Sequence, residues 1–427
     1  MVFGAMFFLL PLSLRNATVA YLLWGWTSLI ALPMFVYGFM ASVPFVQIFA
    51  IITLVLLLRG KNINVKKFTP HENIFLLFIF AAQALLSATF SYSGLTVNWE
   101  VCTTLLKVLL FCIFMHMFLF NRLRIHIFLV LLTTAIAFYS VTEGLKFLKS
   151  GGAHNVQGAA NLGDNNHTAL AFVMVLPLIW YLFQYSKSKL ARLGFASAFL
   201  FTCLAVMATN SRGGFLAMAG VAVWIIARSR RKFVGVIFVI AAATLVLQLA
   251  PAKWFNRMDT ISTAVDVDTS FQGRLIAWKR ASAIALDNPV LGGGFRSVQA
   301  PVLFDKYRDS EGFLGFIDTP RASYPTAAHS IYFEALSDIG FLGFIIFISI
   351  IVSAFVNRRR IKKFINSDNA NLIWASDLAD SIGGSLFAYL IGGAAVSMAY
   401  FEFTYVLVTL MSVIYLFVAN EVKSKAG

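Results

Sequence analysis

The sequence predicts an all-α polytopic integral membrane protein, with about twelve transmembrane helices and a large, partly helical loop outside the membrane. Three observations carry that expectation. The 427 residues are 59% hydrophobic and only 12% charged, with a mean hydropathy of +0.80. No soluble globular domain has that composition. The apolar residues run in continuous windows of roughly 20 residues and do not alternate, which excludes a β-barrel. One stretch, 251–328, breaks the run of windows with mixed charge and many aromatic side chains.

The spans follow in order. Met1–Leu14 is apolar but short and contains Pro11, so it is a re-entrant segment or a thirteenth crossing. Windows then fall at 17–39, 42–58, 73–92, 99–120, 125–148, 166–185, 191–209, 213–227, 233–250, 330–356, 380–399 and 401–420. If these alternate, the basic clusters Arg59–Lys67, Arg122–Arg124, Lys187–Arg192, Arg228–Lys232, Arg358–Lys363 and Lys423–Lys425 share one side. They hold 20 of the 34 Lys and Arg residues, so that side is cytoplasmic. The net charge of +15 therefore sets topology and is no sign of nucleic-acid binding. Cys102, Cys112 and Cys203 lie in apolar runs and read as core thiols, with no disulfide or zinc framework. The first residues lack a basic region followed by a cleavage site and read as mature protein. The expected organisation is 1–164, N-terminal helices; 165–356, a core that includes the loop 251–328; and 357–427, C-terminal helices.

The opposite side carries the chemistry. The loop 251–328 has balanced charge and includes Trp254, Phe255, Trp278, Phe295, Tyr307 and Phe316. Disordered segments lack such aromatics, so a folded cap is expected. Within it, Ser270–Leu286 reads as one amphipathic helix ended by Asn288-Pro289, with Gly292-Gly293-Gly294 beyond. Asn210-Ser211-Arg212-Gly213-Gly214 precedes a span that starts near Phe215. Ser211 or Asn210 can cap that helix, its first N–H groups point outward, and Arg212 adds a planar cation suited to phosphate oxygens. The bland alternative is a capped turn with a snorkelling arginine. Arg274 sits near the start of the cap helix, as a second phosphate contact or a surface arginine.

His329 marks the junction of the loop with a span, where a histidine can act as a general base. His71, His116 and His126 read as residues without a role, and His154 and His167 lack a basic partner nearby in sequence. Lys107 and Glu334 are costly charges within spans, with Glu334 placed to orient His329 or pair with an arginine. Glu402 lies between the last two spans. The loop Asn161–Asn166, with Asn165, is rich in amides that suit sugar hydroxyls. Asp266 and Asp268 form the one Asp-x-Asp pair on this side, read as a polar loop and not as a metal site.

The pattern resembles the O-antigen ligase and polymerase superfamily of bacterial envelope glycosyltransferases. The matching residues are Asn210-Ser-Arg-Gly-Gly-Phe-Leu-Ala217, Gly273-Arg-Leu-Ile-Ala-Trp278, Asn288-Pro-Val-Leu-Gly-Gly-Gly-Phe295 and Ala328-His-Ser-Ile-Tyr332 continuing to Gly343. The resemblance covers about 165–350. It implies a GT-C-like, metal-independent, inverting transferase without a cofactor, in the inner membrane, with its site facing the periplasm. The implied donor is a glycan on undecaprenyl pyrophosphate. Arg212 and Arg274 would hold the pyrophosphate and His329 would activate the acceptor hydroxyl, with Glu334, Lys107, Asn165 and Tyr332 in support. Moderate length, one large outer loop and no appended soluble domain favour transfer to the lipid A–core oligosaccharide. A polymerase and a protein O-oligosaccharyltransferase would use the same donor. A transporter of lipid-linked sugars is the reading from another class, disfavoured because no internal repeat is present and the charges gather at one border.

Overall fold

The computed structural model describes residues 2–30, 42–60, 65–66, 71–158, 162–228, 232–249, 269–365 and 367–426. Trp254, Phe255, Asp266 and Asp268 lie outside the described residues, as do 31–39 of the second expected span. No strand occurs among the described residues. The helices are α1 (Val2–Arg15), α2 (Ala17–Ile30), α3 (Phe45–Arg59), α4 (Glu72–Thr89), α5 (Val97–Phe118), α6 (Arg122–Lys149), α7 (Asn165–Tyr185) and α8 (Lys189–Ala208). There follow α9 (Arg212–Arg228), α10 (Lys232–Leu249), α11 (Thr269–Asp287), α12 (Pro301–Tyr307), α13 (Ile331–Lys363), α14 (Ile373–Gly392) and α15 (Glu402–Ala426). Among the described residues, 8 helices are long and apolar enough to cross a membrane: α4 to α8 and α13 to α15. The helices α1, α2, α3 and α9 stand where spans were expected but have 14, 14, 15 and 17 residues.

The helix α7 is central. Every residue from 168 to 182 is buried, and α6, α8, α9 and α14 pack around it. A helix apolar on all sides has no other stable place in a bundle. Members of two expected basic clusters, Arg122 and Arg360, make contacts at one end of the bundle. There Arg360 pairs with Glu72 at 2.9 Å, the Arg122 guanidinium lies 5.1 Å from the Trp374 ring centroid, and Tyr185 donates to Asp377 at 2.6 Å. The starts of α5, α7, α9, α13 and α15 lie at the other end.

The helix α14 begins at Ile373, not near residue 380 as hydropathy suggests. Its buried Asp380 is neutralised by Arg358 Nε at 2.7 Å and Lys362 Nζ at 2.7 Å. A window of hydropathy cannot see such partners on another helix.

The triglycine segment is spliced into a break in α13. Gly340 has φ +70 and ψ −178, a conformation open only to glycine, and kinks the helix there. The break leaves carbonyl and amide groups without partners inside the helix. Gly293 N–H donates to Ser337 O at 2.8 Å and Gly294 N–H to Asp338 O at 3.0 Å. In return Phe341 N–H donates to Pro289 O at 2.7 Å. Gln83 Nε2 on α4 bridges Val290 O and Ile339 O at 2.6 and 3.0 Å. A Cβ on Gly292 would sit 2.5 Å from the Asp338 carbonyl, so only glycine allows this approach.

The described part of the cap, 269–328, is folded and partly helical, and α11 matches the expected Ser270–Leu286 helix closely. Ala277, Ala281 and Ile284 of α11 pack with Val298, Leu303 and Tyr307 in a small core of their own.

Candidate functional site

Two helix starts interlock at the cap end of the bundle. Asp164 caps α7, its carboxylate accepting from Asn166 N at 2.7 Å and His167 N at 2.8 Å. Those bonds, with the His167 ring, outweigh burial and hold the Asp164 carboxyl below its ordinary range. Ser211 caps α9, accepting from Gly214 N at 3.1 Å, while its hydroxyl donates to Asn166 Oδ1 at 2.8 Å. Asn165 Nδ2 donates to Thr209 O at 2.8 Å. Asn165 therefore ties the two starts together. Arg212 is the first residue of α9, and the next residue, Gly213, lies against Ala395.

His329 precedes the Ser330 cap of α13 with φ +46, an uncommon conformation for a residue with a side chain. Its N–H donates to Ser397 Oγ at 2.8 Å. The preceding Ala328 carbonyl accepts from Trp278 Nε1 at 2.7 Å, and Trp278 stacks on Phe333 at 4.9 Å. The cap helix thus docks directly on the histidine's loop. Arg274 is one turn before Trp278, on the same face of α11. His329 sits among Arg274, Asp164 and His167, each close enough to bias its charge. Burial first, and the Arg274 guanidinium second, push the imidazole below the usual histidine range. Its Nδ1 is buried without a hydrogen bond.

A cavity of about 770 Å³ descends from this region into the bundle. Its upper rim carries His167, Arg296, Glu334, Ser397 and Tyr400. Lower down, Trp24, Phe111, Phe128, Leu132 and Ile136 line it. Val97 and Phe111 both line it, about 20 Å apart along α5 at the rise of a helix. Polar above and apolar below, it suits an amphiphile with an anionic head. Lys107 lines it too, nearly three turns into α5 and not two, as do Glu100 and Glu402; the Glu402 carboxylate accepts from Ser28 Oγ at 2.5 Å.

Residues 197–348, which hold Arg212, Arg274, the triglycine splice and His329, match the family described as O-Antigen ligase. That match supports membership of the O-antigen ligase and polymerase superfamily for this region of the chain. Residues 1–187 match a second family, of unknown function. No curated protein matches the chain. The cavity is built by both halves: its apolar wall and His167 come from the region of unknown function, Arg296 and Glu334 from the ligase-family region.

The structure brings Arg274 near enough to His329 to bias its charge and sets Arg212 at the start of α9, beside the start of α7. Glu334 takes another place. Its Oε2 accepts from Ala399 N at 2.8 Å and its Oε1 lies 3.9 Å from Arg296, so it does not orient His329. Tyr332 donates to Leu390 O at 2.8 Å, clamping α13 to α14. Sequence reasoning set His167 aside, yet it lines the cavity and faces His329. Its signal was the spacing Asp164-Asn-Asn-His167, which puts the ring over the capping carboxylate. Arg296 and Ser397 had no signal, because their partners lie 38 and 68 residues away in sequence.

Proposed function

We propose that this chain is an inverting glycosyltransferase that moves O-antigen glycan from undecaprenyl pyrophosphate to the lipid A–core oligosaccharide. In this reading it crosses the bacterial inner membrane about twelve times in a GT-C-like arrangement, with N-terminal helices 1–164, a core 165–356 and C-terminal helices 357–427. The site faces the periplasm, opposite the basic clusters. The observation that carries the proposal is a histidine held toward its neutral form beside Arg274, bonded through its N–H to Ser397 at the rim of an amphipathic cavity.

The chemistry needs few groups. The acceptor hydroxyl oxygen attacks the anomeric carbon from the face opposite the pyrophosphate. The new glycosidic bond forms as the carbon–oxygen bond to phosphate breaks, which inverts the centre. His329 takes the hydroxyl proton, a role that requires the neutral imidazole. Undecaprenyl pyrophosphate leaves with the bonding electron pair. Arg212 and Arg274 offset its charge, helped by the amides at the start of α9. The apolar lower cavity receives part of the polyprenyl chain, and Lys107 adds positive charge within it.

The test is reconstitution of the purified chain with a lipid-linked glycan and three acceptors: lipid A–core, a second lipid-linked repeat, and a serine- or threonine-bearing protein. Glycan on lipid A–core is the expected product. Glycan on either other acceptor replaces the ligase reading with polymerase or protein glycosylation. Translocation of the lipid-linked glycan without transfer overturns the enzyme reading.

A further inference from the structure

We infer that His167 is a positioning residue of the transfer site: clamped between Asp164 and the Ser397 carbonyl, it fixes the turn whose Ser397 hydroxyl sets the backbone of His329. The inference rests on His329 being the base. It also gives a role to the start of α7, which lies in the region matched to a family of unknown function.

The geometry runs through three contacts. His167 Nε2 lies 2.9 Å from Ser397 O, an atom that can only accept, so Nε2 carries a proton. His167 Nδ1 lies 2.7 Å from Asp164 Oδ1, in a contact bent from the ideal hydrogen-bond line. That oxygen already accepts two backbone amides, bonds that favour the ionised carboxylate. A bare nitrogen lone pair would be repelled at such a distance, so Nδ1 carries a proton as well. The ring is then an imidazolium, and the pair Asp164–His167 is a charged strut. On the far side, Ser397 Oγ accepts from His329 N–H at 2.8 Å.

The need for such a strut is local. His329 stands in the left-handed region, which persists only where its surroundings enforce it. Residues 396–401, between α14 and α15, have no regular structure to hold Ser397 in place. They are pinned by side chains: His167 on Ser397 O, Glu334 on Ala399 N, and the Tyr389 and Tyr405 hydroxyls on Ala399 O. Of these, His167 acts on the residue that touches His329. It is also a cation facing His329, together with Arg274 from α11, while Asp164 is the anion that faces it.

The test uses the full chain in detergent or nanodiscs, with His167→Gln, Ser397→Ala and Ser397→Thr. Two readouts are taken: steady-state kinetics with the lipid-linked donor, and NMR titration of isotopically labelled histidine for the His329 ring, which needs no turnover. His167→Gln should lower kcat on the order of 10–100-fold with little change in KM, as misplacement of a catalytic group does. It should also raise the midpoint at which His329 titrates, because one facing cation is lost. Ser397→Ala should lower kcat, and Ser397→Thr, which keeps the hydroxyl, should restore it. A folded His167→Gln protein with parental kcat, or with an unmoved His329 midpoint, overturns the inference. If His329→Ala is as active as the parent, the assignment of the base is lost, while the titration still reports whether His167 faces His329.

Discussion

At the scale of single residues, His329 works by staying uncharged. Burial and Arg274 both disfavour its protonated form. A base is active when neutral, so the rate should climb with pH through a midpoint below the usual histidine value and be level by neutrality. Arg274→Ala removes a facing cation, so that acidic limb should move to higher pH, as a kcat/KM profile will show; a limb that stays put would separate Arg274 from His329. His329→Ala should cost on the order of 10²–10⁴ in transfer rate while the protein inserts and folds. Near-parental transfer by a well-expressed variant would remove the base. Arg212→Lys keeps the charge but loses the planar fork and should be impaired, and Arg212→Ala should be worse. Equal donor use by both variants and the parent would end its role as a phosphate ligand. The places of His329 and Arg212 beside helix starts were legible because both stand at sharp borders in the sequence. Ser397 and Arg296 were not, because what they do depends on partners that only the fold supplies.

At the scale of elements, helix cores were legible and helix ends were not. Apolar windows located α4 to α8 and α13 because a membrane demands that pattern. They missed the first turns of α14, where Asp377 and Asp380 forbid a span unless Tyr185, Arg358 and Lys362 come to meet them. The kink in α13 shows the same limit. Nothing local to Gly340 says that Pro289 and two glycines of the cap will complete its hydrogen bonds. This splice makes a sharp prediction. Gly292→Ala places a Cβ 2.5 Å from the Asp338 carbonyl, at φ +69. Strain of that kind costs about 1–3 kcal/mol or more. The variant should show a lowered melting temperature or a loss of monodisperse protein on size exclusion. Alanine at Gly273, which has open space around it, is the matched control. Equal stability of the two variants would mean that the splice contributes little.

At the scale of the whole molecule, the ligase-family region and the region of unknown function share one cavity and one rim. The charged groups at that rim are Arg296, Glu334 and His167. Among the described residues no group of three His, Cys, Asp or Glu is placed to hold a metal ion. If Arg212 and Arg274 offset the pyrophosphate charge as proposed, transfer should persist after exhaustive chelation, and Asp266→Asn with Asp268→Asn should be mild. A strict requirement for added magnesium or manganese in the purified enzyme would turn those aspartates into ligands and displace the arginine clamp. The splice at Gly340 also bears on how the chain is made. Residues 288–294 leave the ribosome before 337–341 do, yet the bonds from Gly293 and Gly294 N–H to Ser337 and Asp338 O, and from Phe341 N–H to Pro289 O, cannot form until both are present. Until then the hydrogen-bond ladder of α13 stays open at Gly340. The break in one helix thus joins the completion of α13 to the packing of a segment made earlier.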